Sequence, residues 1–264
     1  MQIPKRKYNL GYFCTPLVWH CNLNCRGCDH FSPLAQAEYV EVEEYKKDLL
    51  RLWDLFGHRL VYMSILGGEP LLHPQIEDIL KISRECLPTV GLELLTNGML
   101  LKNMPDTFWN ICKENRIIIK PTKYPINFDY EWAEKKAKAC EIQYEYTNEE
   151  PIKTLWKSPL DISGSMDKNE MFELCGEANF CVSLAKGKLY TCSVAAYVHH
   201  FEKYYGIDLL YGKRNGIDIY KAKTSEEIME FLATPIDMCR HCDIKGRTYG
   251  NKWGQSEKKM EEWL

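Results

Sequence analysis

The chain has 264 residues, 45% hydrophobic and 27% charged, with a formal net charge of -3. Such values fit a soluble globular protein with room for a full core, and a near-neutral balance supplies no field to recruit nucleic acid. No apolar run of about 18 residues is present and no apolar core follows the basic start at Lys5, Arg6 and Lys7, so the expectation is a cytoplasmic protein with no membrane partner. Twelve cysteines in such a chain point to metal ligands and buried thiols rather than disulfides.

Leu10 to Trp19 is β-prone and apolar, which predicts a buried first strand delivering Cys21-Asn22-Leu23-Asn24-Cys25-Arg26-Gly27-Cys28 at its end. Three thiolates from so short a loop can converge on one soft metal centre and leave a fourth position open. A zinc site completed by His20, His30 or Asp29 is the alternative. Strand and helix then alternate. Helices are predicted over 41–56, 74–86, 105–115 and 129–140, and strands over 60–66, 90–96, 116–120 and 141–146. That order argues for a parallel sheet with crossover helices, a partial β/α barrel.

The ends of these strands carry the next candidates. Gly67-Gly68-Glu69-Pro70 closes the second strand, where glycines permit close backbone approach and a carboxylate can accept from an amine. Thr96 and Asn97 close the third, and Lys120 and Lys123 lie at the mouth of the fourth. Past Ser158 the alternation fades into a linker with Pro159, Gly164 and Ser165. A short helix over 169–174 and a β-hairpin, 180–185 and 188–190 about Lys186-Gly187, bring Cys175 and Cys192 together, and Cys239 and Cys242 close a four-cysteine site. Four thiolates satisfy zinc or an iron–sulfur cluster equally. The spacing of Trp253, Met260 and Trp263 among charges predicts an amphipathic terminal helix.

Cys21, Cys25 and Cys28, followed in register by Gly67 to Pro70, resemble the motifs of the radical S-adenosylmethionine (radical SAM) enzymes. The rear pattern of Cys175, Cys192, Cys239 and Cys242 resembles that superfamily's twitch domain, the shortened form of the SPASM domain, with Cys181 as a spare ligand. The resemblance implies an α/β fold with a partial (β/α)6 barrel over 1–158, a hairpin-plus-helix auxiliary-cluster domain over 159–250 and a terminal helix over 251–264. It implies a SAM-binding [4Fe-4S] cluster on the front cysteines, a second, auxiliary [4Fe-4S] cluster on the rear ones, SAM itself, and an external electron donor such as flavodoxin or ferredoxin. Gly67, Gly68, Glu69 and Pro70 would take the SAM amino group, and Thr96 and Asn97 its ribose or carboxylate. Gly27 stands where many members have an aromatic residue near the adenine, so His30 or Phe31 is expected to take that contact.

The implied reaction is hydrogen-atom abstraction by a 5′-deoxyadenosyl radical. Members of similar cysteine layout act on aminocyclitols, so the expected substrate is a sugar, nucleotide sugar or cyclitol whose secondary alcohol is oxidised. Such an oxidation needs a base, and Lys120, Lys123, His199 and His200 are the candidates. An epimerase would instead quench the radical with a thiol, Cys181 or Cys14. A peptide-modifying maturase and a non-catalytic protein with two zinc sites are the other readings.

Overall fold

The computed structural model describes residues 10–148, 154–209 and 215–264; the basic start of the chain lies outside them. Four parallel strands, β1 (Tyr12–Pro16), β2 (Tyr62–Leu66), β3 (Gly91–Thr96) and β4 (Ile117–Pro121), lie side by side in chain order. Each crossover carries a helix: α1 (Val42–Phe56), α2 (Ile76–Cys86) and α3 (Asp106–Glu114). The apolar periodicity explains the packing. Tyr45, Leu49, Leu52 and Phe56 recur on one face of α1 and are buried, and the helix stops at Gly57, whose φ of 53° a side chain resists. Tyr45 also hydrogen-bonds Ser83 of α2 at 2.7 Å, which satisfies two hydroxyls inside the core.

Strand alternation divides the two faces of the sheet. Leu92 and Leu94 of β3 and Ile117 and Ile119 of β4 enter the helix-covered core, while Glu93 and Lys120 project to the opposite face, the interior of the partial barrel. After α4 (Tyr130–Ala139), residues 143–147 run parallel to β4: Ile119 N donates to Gln143 O, and Glu145 N and Thr147 N donate to Ile119 O and Pro121 O, each at 3.0 Å.

The next parallel position comes from an unexpected source. Beyond β5 (Leu155–Lys157) and α5 (Lys168–Leu174), the rear hairpin of β6 (Ser183–Ala185) and β7 (Lys188–Tyr190) does not stand apart, because β6 pairs parallel with β1 through Cys14 and Ser183. Helices α6 (Ser193–Tyr197) and α7 (His199–Tyr205) follow, and β8 (Gly216–Asp218) then extends the sheet beyond β7. The sheet therefore runs β4-β3-β2-β1-β6-β7-β8. α8 (Ser225–Leu232) adds Ile228, Met229 and Leu232 to the same core as α1 and α2. A boundary near 158 thus separates chain segments but not sheets.

The terminal segment corrects the expected helix over 251–264. β9 (Thr248–Asn251) pairs antiparallel with β5, residues 254–256 are extended, and only Met260–Glu262 makes a single 3-10 turn. Two of the apolar residues that suggested a helical face have separate partners, since Trp263 is buried in a second core while Trp253 reaches the cysteine loop. Among the described residues no helix is long and apolar enough to cross a membrane.

Candidate active site

The cysteine loop turns twice through left-handed backbone, at Asn24 (φ 50°) and Gly27 (φ 63°), and so folds back on itself. Cys21, Cys25 and Cys28 consequently line one cavity of about 170 Å³, together with Asp29, His30, Gly67, Gly68, Thr96, Asn97 and Tyr124. The ends of β1, β2, β3 and β4 supply these residues, as expected for a site at the carboxyl edge of parallel strands. The donor set fits an iron–sulfur cluster: three soft thiols face one cavity, and hydrogen-bond donors already reach two of the sulfurs. Leu23 N lies 3.4 Å and Asn97 Nδ2 3.7 Å from Cys21 Sγ, and the Trp253 indole N–H donates to Cys25 Sγ at 3.1 Å. Among the described residues no three His, Cys, Asp or Glu side chains close around a single metal ion. A cubane spreads its thiolate ligands over separate iron atoms, so it does not require that closure. Burial raises all three thiols, Cys21 to about 12, so in the metal-free protein they are protonated and metal binding must release protons.

The two glycines of Gly67-Gly68 are needed by the protein before any ligand arrives. A Cβ on Gly67 would run into the Val18 carbonyl, and one on Gly68 into the His20 carbonyl. This close approach permits Gly68 N to donate to Val18 O at 2.6 Å and Glu69 N to His20 O at 3.1 Å, which joins the end of β2 to the cysteine loop. Glu69 is fully buried, and its carboxylate accepts from Thr96 Oγ1 at 2.6 Å, Asn97 N at 2.8 Å and Leu71 N at 3.1 Å. Burial still outweighs these bonds and raises Glu69 to about 7. The carboxylate therefore braces the end of β3 and does not line the cavity, so an incoming amine would meet backbone of this motif. Pro70 is buried as well and opens a short 3-10 turn.

Asn97 lines the cavity, with Nδ2 on Asn22 Oδ1 at 2.7 Å and Oδ1 accepting from Met99 N at 2.9 Å. His30 also lines it, held by Gly67 O at 2.9 Å and stacked on Tyr197 with ring centroids 4.3 Å apart. Phe31 corrects the expectation of an adenine contact: it is 1% exposed and packs in the second core with Phe201 and Trp263. Gly27 is explained by the same core, because a Cβ there would press to 2.9 Å from Glu262 O.

Lys120 lines a second cavity of about 440 Å³ inside the barrel, which shares Leu95 with the first. Its ammonium pairs with Glu93 at 3.0 Å, Glu93 accepts from Ser64 at 3.0 Å, and Tyr12, Tyr146 and Cys181 complete much of the wall. The structure does not bring the other base candidates there. Lys123 Nζ sits 3.6 Å over the Tyr146 ring, while His199 and His200 pack against Trp19, away from both cavities. Burial lowers His200 to about 3, so it is a neutral ring in the protein interior. Cys14 is equally occupied, with Sγ on Val182 O at 3.3 Å and Ser183 Oγ at 3.1 Å.

The rear cysteines come from four chain positions. Cys175 ends α5, Cys192 precedes α6, and Cys239 and Cys242 lie on the 3-10 turn Asp237–His241 and at its end. Cys192 feels the charges of Cys242, Cys175 and Cys239, and burial is the main cause that raises its thiol. Asp29, named above as a possible fourth ligand, lines the front cavity beside Cys28. Sequence reasoning gave no site role to three further residues: Glu177, near enough to Asp29 for the two to repel, and Tyr124 and Trp253, which approach Cys25. These three arrive from distant segments, so no local signal marked them.

Residues 19–119 match the model of the Radical SAM superfamily. The GTP 3′,8-cyclase of Microcystis aeruginosa is 29% identical over 106 residues, 38% of this chain and 31% of the cyclase. That of Chlorobaculum tepidum is 35% identical over 89 residues, 33% of this chain and 25% of the cyclase. The aligned part thus spans about a third or less of either relative. The crystal structure of BtrN in complex with AdoMet and 2-DOIA superposes with a TM-score of 0.54 at 14% identity, covering 90% of this chain and 94% of BtrN, a likeness of fold.

Proposed function

We propose that this chain, a member of the radical SAM superfamily through residues 19–119, is an enzyme that oxidises a secondary alcohol of a small hydroxylated substrate, a sugar, nucleotide sugar or cyclitol. The observation that carries the reading is the pair of cysteine groups: three that share a cavity with Gly67, Gly68 and Asn97, and Cys192, which is near enough to Cys175, Cys239 and Cys242 to feel their charges. When bound, a front cluster with SAM and a rear cluster would supply acceptors for one hydrogen atom and one electron, and the carboxylate of Asp29, on the same cavity, would take the hydroxyl proton, so that the alcohol becomes a ketone. Cys21, Cys25 and Cys28 would hold the first cluster, and Cys175, Cys192, Cys239 and Cys242 the second, with Cys181 unassigned to either.

The chain's own residues suit this role. His30 and Asn97 are fixed in place and face the front cavity, which favours orientation over mobility. Lys120, already paired with Glu93, is a binding group rather than a base, since an ammonium can only donate. BtrN, with AdoMet and a small ligand on the same fold, supports a small substrate. The cyclases share only the segment around the front motifs and so do not carry a substrate to this chain.

The test is anaerobic reconstitution followed by reaction with SAM, reductant and a panel of cyclitols and sugars, with ketones trapped by a hydrazine. About eight irons in the wild type and about four in the triple alanine variant of Cys21, Cys25 and Cys28 are expected, with 5′-deoxyadenosine and ketone formed by the wild type alone. No iron after reconstitution would refute the proposal. The presence of Cys181 on the barrel cavity favours epimerisation as the second reading. Solvent deuterium fixed at carbon, with no ketone, would select it.

A further inference from the structure

Cys25 is treated differently from the other two front cysteines. Cys21 receives its donors from the β1 loop itself and from Asn97 at the end of β3. Cys25 receives the indole N–H of Trp253, from a segment 228 residues away in sequence, while Tyr124, after β4, lines the same cavity. The two rings lie near each other, with centroids 6.3 Å apart.

Trp253 is held by a strap that follows the cysteine loop as a short antiparallel partner. Arg26 N donates to Gly254 O and Ser256 N to Asn24 O, both at 2.8 Å, and Cys25 pairs with Gln255. Farther along, Trp263 Nε1 donates to Cys28 O at 2.9 Å, and Glu262 O covers Gly27. The strap is anchored at its start by β9 on β5 and at its end by Trp263 in the second core. Such a brace fixes the indole without relying on Trp253 itself.

We infer that Trp253 is a positioning residue of the front metal centre: its N–H, fixed by the strap, donates to the Cys25 thiolate and sets the reduction potential of a cluster bound there. The inference rests on the assignment of Cys21, Cys25 and Cys28 as cluster ligands. The physical reason is charge. Reduction adds an electron to a cluster whose ligands are already anionic, and a donor aimed at one sulfur stabilises the more negative state. Removing that donor makes the cluster harder to reduce.

The test compares the wild type with Trp253→Phe, which keeps an aromatic ring and loses the N–H, and with a protein carrying β-(3-benzothienyl)alanine at position 253, which keeps the bicyclic shape and lacks the N–H. Iron content is measured first, then the potential of the paramagnetic signal that SAM perturbs, in a titration followed by electron paramagnetic resonance. The expected result is unchanged iron, a retained SAM-perturbed signal and a midpoint shifted to more negative potential in each protein. Unchanged midpoints with iron retained overturn the inference. If Trp253→Phe cannot hold iron, an unchanged midpoint in the benzothienylalanine protein overturns it alone. Failure of the underlying assignment looks different, because the wild type then shows no SAM-perturbed signal.

Discussion

Substitution of Gly68 by alanine gives the sharpest test of how the site is built. Its Cβ would collide with the His20 carbonyl and stand 2.9 Å from Cys21 N, both backbone atoms with no rotamer to yield. The loop after β2 must then part from the cysteine loop, which gives up the bonds from Gly68 N to Val18 O and from Glu69 N to His20 O. Two backbone hydrogen bonds at about 1 kcal/mol each, with overpacking of about 1–3 kcal/mol, give a loss of about 3–5 kcal/mol. For a chain of this length the corresponding fall in Tm is on the order of 10 °C. Gly206→Ala is the matched control: φ is 67° but nothing lies within 4 Å of its Cβ, so only the left-handed cost of about 1–2 kcal/mol applies. Denaturation of the metal-free proteins, followed by tryptophan fluorescence, separates the two sites without involving cofactor. If Gly68→Ala loses no more stability than Gly206→Ala and still binds iron, the two loops are not locked together as argued.

The buried carboxylate of Glu69 predicts a pH dependence. Burial raises it from 4.5 to about 7, so the folded state holds the proton more tightly. Its contribution is fully present below pH 4.5 and is lost as pH rises toward and through 7. Across that window the wild type should lose about 3 kcal/mol relative to Glu69→Gln, measured by urea midpoints at each pH, and a constant difference would contradict the assignment. Phe31→Leu and His30→Ala separate packing from ligand contact. The first should destabilise by about 1 kcal/mol while leaving SAM affinity in the folded protein unchanged, and the second should weaken SAM by about tenfold in equilibrium binding. Lys120→Met leaves Glu93 with Ser64 alone, and loss of a charged donor should lower turnover of the alcohol by at least about tenfold. Undiminished turnover would remove the barrel cavity from the substrate path.

The local signals in the sequence led to the parts of the molecule that local physics decides. The buried face of α1 follows from the spacing of Tyr45, Leu49, Leu52 and Phe56, and β3 and β4 follow from short apolar runs between helices, although three consecutive isoleucines in β4 do not say which of them face the core. The front loop was legible because its three thiols are close in sequence. What long-range packing decides was not legible. Glu69 reads as a ligand group from its motif, yet the end of β3 closes over it and uses its oxygens. Phe31 and Trp253 exchange their expected places, because the terminal segment pairs with the cysteine loop instead of coiling: Phe31 enters a core that this segment helps to build, and Trp253 reaches the sulfur.

The same long-range pairing bears on how the two cysteine groups are held. β1 leads directly into Cys21, and its neighbour β6 leads through β7 to Cys192. These strands meet where Cys14 N donates to Val182 O at 2.8 Å and Cys14 Sγ contacts Ser183. The front loop and Cys192 therefore hang from one sheet, whose core is continuous from α2 to α8, while Cys239 and Cys242 belong with Cys192 to the second core. A linker between independent units would let their separation vary, whereas ladder bonds and a shared core do not. Electron exchange depends steeply on distance, so a fixed spacing matters most if both groups act on one substrate. Cys14→Val, which keeps the volume and removes the sulfur contacts, tests this coupling. It should cost about 1–2 kcal/mol and, if the proposed rear cluster is bound, leave both iron sites filled, since the backbone bond to Val182 remains. Loss of rear iron alone in that variant would show that the side-chain contact, and not the sheet, sets the rear group in place.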